Sequence, residues 1–221
     1  MSPPSAGVDE AGRGPVIGPM VVAGVLLSRR AVKSLREAGV TDSKRLRADK
    51  REELSLLIME NADSYAIEVV EPRRIDEAVS RGMLNLLEAE VMGRLVRELR
   101  PAYTIVDSPM RNCRKFAELV RSFSGLNARI RAENHADERY VHVAAASVVA
   151  KVERDRRIRE LSGLTGMDLG SGYPHDPRTR GAILRILSGE SFPRDQVRWS
   201  WLTVRRMSAA MRGSDLTDFL E

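Results

Sequence analysis

The sequence predicts an α/β layer fold built on a mixed β-sheet flanked by helices. Three observations carry that expectation. Two apolar, strand-like stretches, about 5–10 and 20–29, open the chain. Strand and helix patterns then alternate from about residue 64. Acidic residues close two of the strands, Asp9-Glu10 the first and Asp107 a later one. In open α/β sheets, sites lie beyond the carboxyl ends of strands.

Each element follows from local pattern. Ala31 to Ala38 reads as a short helix stopped by Gly39, and Thr41-Asp42-Ser43-Lys44-Arg45-Leu46 as a polar loop too densely charged for a core. A helix is expected over about 48–61, with Leu54, Leu57 and Ile58 on one face. Ser64 to Val70 alternates as a strand and stops at Glu71-Pro72. Leu84, Leu87, Val91, Leu95 and Leu99 give helical spacing between Gly82 and Pro101. Tyr103 to Asp107 is a short apolar strand, followed by a helix carrying Phe116, Leu119, Val120 and Phe123 and closed by Gly125. Ala128 to Ala132 reads as a strand, and the longest helix is expected from near Asn134 past Arg157. Gly170 to Pro177 is a loop, and two amphipathic helices follow from about Thr179.

The 221 residues, 43% hydrophobic and 30% charged, suit a soluble globular protein of one domain, or one domain with an appendage. No run approaches the roughly 18 apolar residues of a membrane span, and the first residues lack a secretory pattern, so a cytoplasmic protein is expected. Cys113 is the only cysteine, which excludes an internal disulfide or a cysteine zinc site and points to a small buried thiol. The net charge of +5, carried mostly by arginine, is compatible with a nucleic-acid partner without deciding it.

Chemistry concentrates in Asp9-Glu10-Ala11-Gly12-Arg13-Gly14-Pro15. Adjacent carboxylates in apolar surroundings are costly unless partnered, and metal ions are their usual partners. The Gly12-Arg13-Gly14 stretch is unsuited to a strand interior but suits an anion-binding loop, with Arg13 as a phosphate fork. A solvated acidic turn before a glycine loop is the competing account. Asp107 also suits a turn before Ser108-Pro109, and Asp137 suits a capping box with Asn134 as N-cap. Acids at three separated element ends on one predicted edge favour metal binding instead. Two Mg²⁺ or Mn²⁺ ions about 3.5–4 Å apart form the usual clamp for phosphodiester hydrolysis. The small residues Ala144-Ala145-Ala146-Ser147 and Ala150 would let the long helix approach the sheet and bring Asp137 toward the strand ends. Of the basic residues that follow, Lys151, Arg154, Arg156, Arg157 and Arg159, most read as a solvated face, with Lys151 the exception.

Together these residues resemble the ribonuclease HII family. Its motifs match Asp9 through Pro15 with Gly18-Pro19, Asp42-Ser43-Lys44, Val106-Asp107-Ser108, Ala136-Asp137-Glu138 through Ala145-Ala146-Ser147 to Ala150-Lys151-Val152, and Gly172-Tyr173-Pro174. They span about residues 7–177. The resemblance implies a ribonuclease H-like fold over 1–178, with a helical extension over 179–221 packed on or near the substrate face. It implies an endonuclease for the RNA strand of RNA–DNA hybrids and for single ribonucleotides in duplex DNA. Cleavage 5′ of the ribonucleotide by two metal ions would leave 5′-phosphate and 3′-hydroxyl ends. Asp9, Glu10, Asp107 and Asp137 become the metal-binding catalytic acids. Gly12, Arg13, Gly14 and Tyr173 become substrate-reading residues, and Asp42, Ser43, Lys44, Ser147 and Lys151 supporting contacts. A monomer is expected, with nucleic acid and no membrane as its partner.

Two positions depart from the family pattern: His135 replaces an expected lysine and Ala144 an expected serine. His142 reads as packing and His175 as a loop residue. In the tail, Val197, Trp201 and Val204 form one helical stripe expected to pack on the domain, with Arg194, Arg198, Arg205 and Arg206 elsewhere. Two rival functions remain open at this point: a DNA nuclease of the same fold, and a non-catalytic nucleic-acid-binding module whose acids are structural caps. Because neighbouring strand residues face opposite ways, Glu10 can share a site with Asp9 only if the strand ends or twists there.

Overall fold

A computed structural model describes residues 3–41 and 47–213. Among them, five strands form one sheet in the order β3-β2-β1-β4-β5: β1 Ser5–Ala11, β2 Met20–Leu27, β3 Ser64–Val70, β4 Tyr103–Asp107 and β5 Arg129–Glu133. β1 pairs antiparallel with β2 from Ser5↔Leu27 to Ala11↔Val21. It pairs parallel with β4 only as far as Val8↔Val106, while β4 continues beside β5 to Asp107↔Glu133. The sheet is therefore mixed, as expected, and it opens between β1 and β4 just where the acids begin.

The chain divides into two compact units, the first comprising Met1–Ala11, Val21–Val69 and Leu84–Arg154. On one face of its sheet, α1 (Arg29–Glu37), α2 (Ala48–Asn61) and the start of α6 (Val141–Thr165) enclose a core with Val21, Ala23, Val25, Leu27, Leu35, Ile58 and Ala144–Ala146. Each large aliphatic side chain buried there contributes about 1.5–3 kcal/mol. α6 lies against β1 with almost no spacing: a Cβ on Gly7 would stand 2.1 Å from the His142 carbonyl carbon. Against the opposite face pack α4 (Leu84–Leu99) and its neighbour α5 (Cys113–Ser124), where Leu99 Cδ1 would come within 2.8 Å of a Cβ on Gly24.

The second unit comprises Gly12–Met20, Val70–Met83 and Asp155–Glu221. Its core gathers Val16, Ile17, Ile158, Met167, Leu169, Ile183, Val197 and Val204, with α7 (Pro177–Leu187) and α8 (Leu202–Arg212) on its border. Ile17 and Val197 form an isolated antiparallel bridge. The Arg198 N–H donates to Val16 O over 2.9 Å, and the Val16 N–H donates to Gly172 O over 2.8 Å.

Four differences from the sequence reading have physical causes. A helix, α3 (Pro72–Ser80), follows the β3 strand where only a strand stop was expected. Pro72 occupies its first turn, where proline costs nothing, and Asp76 on it accepts from the Trp199 and Ser200 N–H groups over 2.7 and 3.2 Å. The long helix begins at Val141 rather than near Asn134, because His135 takes a left-handed conformation (φ 54°) and starts a separate 3₁₀ turn, Ala136–Glu138. The tail stripe is not one helix: Val197 is bridge backbone, Trp201 is the N-cap of α8, and Val204 lies within it. Cys113 is half-buried rather than enclosed, its thiol donating to Asn134 Oδ1 over 3.3 Å. His142 packs as expected, its Nε2 2.8 Å from Ser5 Oγ, with its pKa lowered by burial and by the nearby Arg36 charge.

Candidate functional site

Beyond Val8 the first strand loses its β4 neighbour, so the side chains of Asp9 and Glu10 have an open edge to turn into. Asp107 closes β4 at the same level. Carboxylate oxygens of Asp9, Glu10 and Asp107 lie within 4.8 Å of one another, the geometry of a group that can hold a metal ion. β1 itself continues beside β2 to Ala11, so the two successive acids meet Asp107 at the edge left open by β4 and not at a strand end.

Asp9 is the buried member of the three, and its carboxyl is held well above the usual carboxylate range. Burial is the main cause, followed by the negative charges of Glu10 and Asp107. A hydrogen bond from Ser147 and the charge of Lys151 act the other way. Strand alternation puts Asp9 on the same face as Gly7, the face that α6 covers. Ser147 is buried on that helix, and Lys151, one turn further on, donates to its hydroxyl. The Glu10 N–H completes the set, donating to Asp9 Oδ1 over 2.8 Å. Such an arrangement favours a hard cation, which offsets the mutual repulsion of the three carboxylates.

Asp137 lies outside that three-residue group, half-buried on the 3₁₀ turn. The turn is nevertheless tied to the cluster, for the Ala136 N–H donates to Asp107 Oδ1 over 2.7 Å. Asn134 is not an N-cap here. Its amide donates to the Ser108 and Met110 carbonyls over 2.6 and 3.0 Å, pinning the turn to the segment after β4. On the outer side, Arg139 bonds the Asn134 carbonyl over 2.8 Å and Glu133 over 2.7 Å, and the Tyr140 hydroxyl donates to Glu133 over 2.8 Å. His135 is exposed 4.0 Å from Glu138, and Ala144 sits in the core, where a methyl group fills space.

In the second unit, Gly12 takes a left-handed conformation (φ 89°), and a Cβ on the exposed Gly14 would stand 3.7 Å from the Tyr173 ring. The Gly12-Arg13-Gly14 loop and Tyr173 are therefore neighbours. Tyr173 is carried on a loop braced by Thr179, which accepts from the Gly172 N–H over 2.9 Å, and by Asp176, which accepts from the Ser171 N–H over 2.7 Å. That backbone bond holds the Asp176 carboxyl well below the usual range. His175 contributes a ring contact to Tyr173, at 5.5 Å between centroids. Asp42, Ser43 and Lys44 lie outside the described residues.

The family model for ribonuclease HII matches residues 6–204 of this chain. The chain belongs to the ribonuclease HII family. A ribonuclease HII of Pyrobaculum neutrophilum is 46% identical over 200 residues, covering 90% of this chain and 95% of its own. The crystal structure of the ribonuclease H2 from Pyrococcus horikoshii superimposes with a TM-score of 0.86 at 38% identity, covering 95% of this chain and 99% of that one. The ribonuclease HII of Archaeoglobus fulgidus, solved in complex with PCNA, gives a TM-score of 0.82 at 39% identity over 98% of this chain and 100% of that one. As a member of this family, the protein is a hydrolase of the RNA strand in RNA–DNA hybrids, with the mixed sheet and flanking helices of the ribonuclease H fold. Enzymes of this family need divalent metal ions, and the three clustered carboxylates are an oxygen donor set suited to them.

Arg198, expected off the apolar stripe of the tail, is fully buried and bonded to the carbonyls of the glycine loop. Its flanking residues, Val197 and Trp199 with Trp201 beyond, were the available signal that this arginine sits in apolar surroundings. Arg154 is likewise buried instead of solvated.

Proposed function

We propose that the protein cuts duplex DNA on the 5′ side of a single embedded ribonucleotide as well as acting on longer hybrids. In this reading Asp9, Glu10, Asp107 and Asp137 hold two divalent ions, Mg²⁺ or Mn²⁺. The observation that carries it is the convergence of Asp9, Glu10 and Asp107 within 4.8 Å, with Asp9 buried and its carboxyl pKa raised. A donor set of carboxylate oxygens under mutual repulsion fits hard divalent cations. When bound, such ions make a water more acidic and stabilise negative charge gathering on the scissile phosphate.

The protein's own residues supply position and selection. Asp107 holds the turn bearing Asp137 through the Ala136 N–H, so that a fourth carboxylate is offered from a fixed backbone. Ser147 and Lys151 keep Asp9 nearer its charged form. Gly12, Arg13 and Gly14, which begin two residues after Glu10 in the chain, read the 2′-hydroxyl and the phosphate, and Tyr173 packs on the adjoining sugar. Asp42, Ser43, Lys44 and Lys151 support neighbouring phosphates. Water adds its oxygen to phosphorus as the P–O3′ bond breaks and O3′ takes up a proton, leaving a 3′-hydroxyl on the upstream strand and a 5′-phosphate on the ribonucleotide.

The deciding experiment incubates the purified protein and Mg²⁺ with a DNA duplex containing one ribonucleotide and with its all-deoxy counterpart. Cleavage of the first, with discrimination of about 10⁴-fold or more, is expected of a site that bonds a hydroxyl. Comparable cutting of both duplexes removes the ribonucleotide reading. We further propose that the free protein is a monomer and, by extension from the Archaeoglobus fulgidus relative, that it takes PCNA as a partner. Size-exclusion chromatography of the full chain with and without PCNA tests both statements.

A further inference from the structure

Arg198 has no exposed surface, yet it carries a full charge. Its compensation is specific. Nη2 donates to the Gly12 carbonyl over 2.7 Å and to the Gly18 carbonyl over 2.9 Å, Nε donates to Gly18 over 3.1 Å, and Nη1 donates to the Arg13 carbonyl over 3.0 Å. The guanidinium lies over the Trp201 ring, 5.2 Å from its centre. Trp201 in turn donates its indole N–H to the Gly14 carbonyl over 3.3 Å. Three successive carbonyls, those of Gly12, Arg13 and Gly14, are thus engaged by two side chains from the last part of the chain.

Peptide planarity turns this into a statement about the other side of the loop. In a trans peptide the C=O of one residue and the N–H of the next point in opposite directions. With the Gly12 and Arg13 carbonyls drawn onto Arg198, the Arg13 and Gly14 N–H groups are directed away from it. The Gly14 carbonyl precedes Pro15, and the Gly18 carbonyl precedes Pro19, so neither of those peptides has an N–H to direct. The donors the clamp sets are therefore two adjacent ones.

We propose that Arg198, assisted by Trp201, is a positioning residue for ribonucleotide recognition: it fixes the Gly12-Arg13-Gly14 backbone so that the Arg13 and Gly14 N–H groups present paired donors to a substrate oxygen. The inference rests on the reading of this loop as the one that meets the ribonucleotide. The planar fork reaches three carbonyls at fixed angles, whereas a lysine ammonium concentrates its donors on one atom.

The test uses the full chain with Arg198→Lys and, in case a buried lysine prevents folding, Trp201→Phe, which keeps the ring and removes the indole donor. Amide NMR of the free proteins is expected to show the Arg13 and Gly14 resonances displaced and their hydrogen exchange accelerated in both variants, with the sheet amides unchanged. Cleavage assays on duplexes with and without the single ribonucleotide are expected to show at least about tenfold weaker discrimination in Arg198→Lys, and a smaller loss in Trp201→Phe. KM should rise more than kcat falls, and Mn²⁺ affinity measured by calorimetry should match the parent. Parental Arg13 and Gly14 amides in a folded variant, or undiminished discrimination, overturn the inference. Titrating the parent with the ribonucleotide duplex separates the two ideas. If its Arg13 and Gly14 amides do not respond, the loop's recognition role fails, and the positioning role falls with it even if the variants disturb the loop.

Discussion

Asp107 and Ala136 are joined across the open end of the sheet, the Ala136 N–H donating to Asp107 Oδ1 over 2.7 Å. One carboxylate therefore does two jobs. It stands within 4.8 Å of Asp9 and Glu10 through its oxygens, and it anchors the turn on which Asp137 is carried. Those jobs can be separated by mutation.

Asp107→Asn keeps a carbonyl oxygen able to accept from Ala136 but removes the charge, while Asp107→Ala removes both. Each is expected to lower the cleavage rate at least about 100-fold, given the scale of metal-assisted hydrolysis. In EDTA the two should part. Asp107→Asn is expected to be as stable as the parent, and Asp107→Ala to be destabilised by about 1.5–3 kcal/mol, the worth of a hydrogen bond to a charged group. Urea unfolding checks this, and equal stability of the two variants would show the anchor to be idle.

Asp9 gives the metal-free protein a characteristic pH dependence. Its folded pKa is raised by burial and by Glu10 and Asp107, so the native state binds the proton more tightly than the unfolded chain. The stabilisation is complete below the unfolded value near 4 and is lost as pH rises through the folded pKa. In EDTA, Tm is therefore expected to fall with rising pH in that window, and Asp9→Asn should flatten the slope and be no less stable than the parent at neutral pH. Adding Mg²⁺ should restore the parent's stability at the high-pH end and leave Asp9→Asn unmoved. A parent whose Tm rises with pH in EDTA throughout would contradict the repulsion argument.

Much of this site could be read from residues alone, because its parts are local. An acid closing an apolar strand, a glycine pair around an arginine, and a run of alanines on a helix each advertise themselves within a few positions. What escaped the sequence depends on distant partners. The helix expected from Asn134 fails because His135 adopts a left-handed conformation and because Asp107, 29 residues earlier, takes the Ala136 N–H. Arg198 looks like any tail arginine until the carbonyls of residues 12, 13 and 18 are brought to it. α3 was hidden by its own Pro72, which reads as a strand stop and serves equally as a helix start.

Gly7 marks the tightest contact between helix and sheet. A side chain there would meet the α6 backbone at 2.1–2.4 Å, and backbone cannot rotate aside as a side chain can. Gly7→Ala is expected to cost about 3 kcal/mol or more by overpacking. Gly181, inside α7 with open space around it, is the control, and Gly181→Ala should gain about 0.5–1 kcal/mol from helix propensity. Thermal and urea unfolding measure both. A tolerated Gly7→Ala would mean that α6 can lift from the strand, and the Asp9–Ser147 contact should then weaken in step.

The chain of side chains from Lys151 through Ser147 to Asp9 has a measurable consequence. Lys151 donates to the Ser147 hydroxyl, which frees that hydroxyl's own proton for Asp9, and both residues lower the carboxyl's pKa against the larger effect of burial. Ser147 is buried beside Ala146 and near Ala150, so Ser147→Ala removes the hydroxyl with little change in packing. Without it the pKa of the Asp9 carboxyl should rise further, because a hydrogen bond that favours its charged form is lost. Only the deprotonated carboxylate binds a cation, so the proton becomes a stronger competitor. Ser147→Ala is thus expected to bind Mn²⁺ more weakly at pH 6, to approach the parent as pH rises, and to shift the acid limb of its pH–rate profile upward. Lys151→Met should move the same limb in the same direction, because it removes both the charge and the donor that orients Ser147. Calorimetric Mn²⁺ titrations at several pH values and the pH–rate profile give two independent readings of the shift. A loss of activity that is uniform across pH would assign Ser147 to packing and detach it from the Asp9 carboxylate.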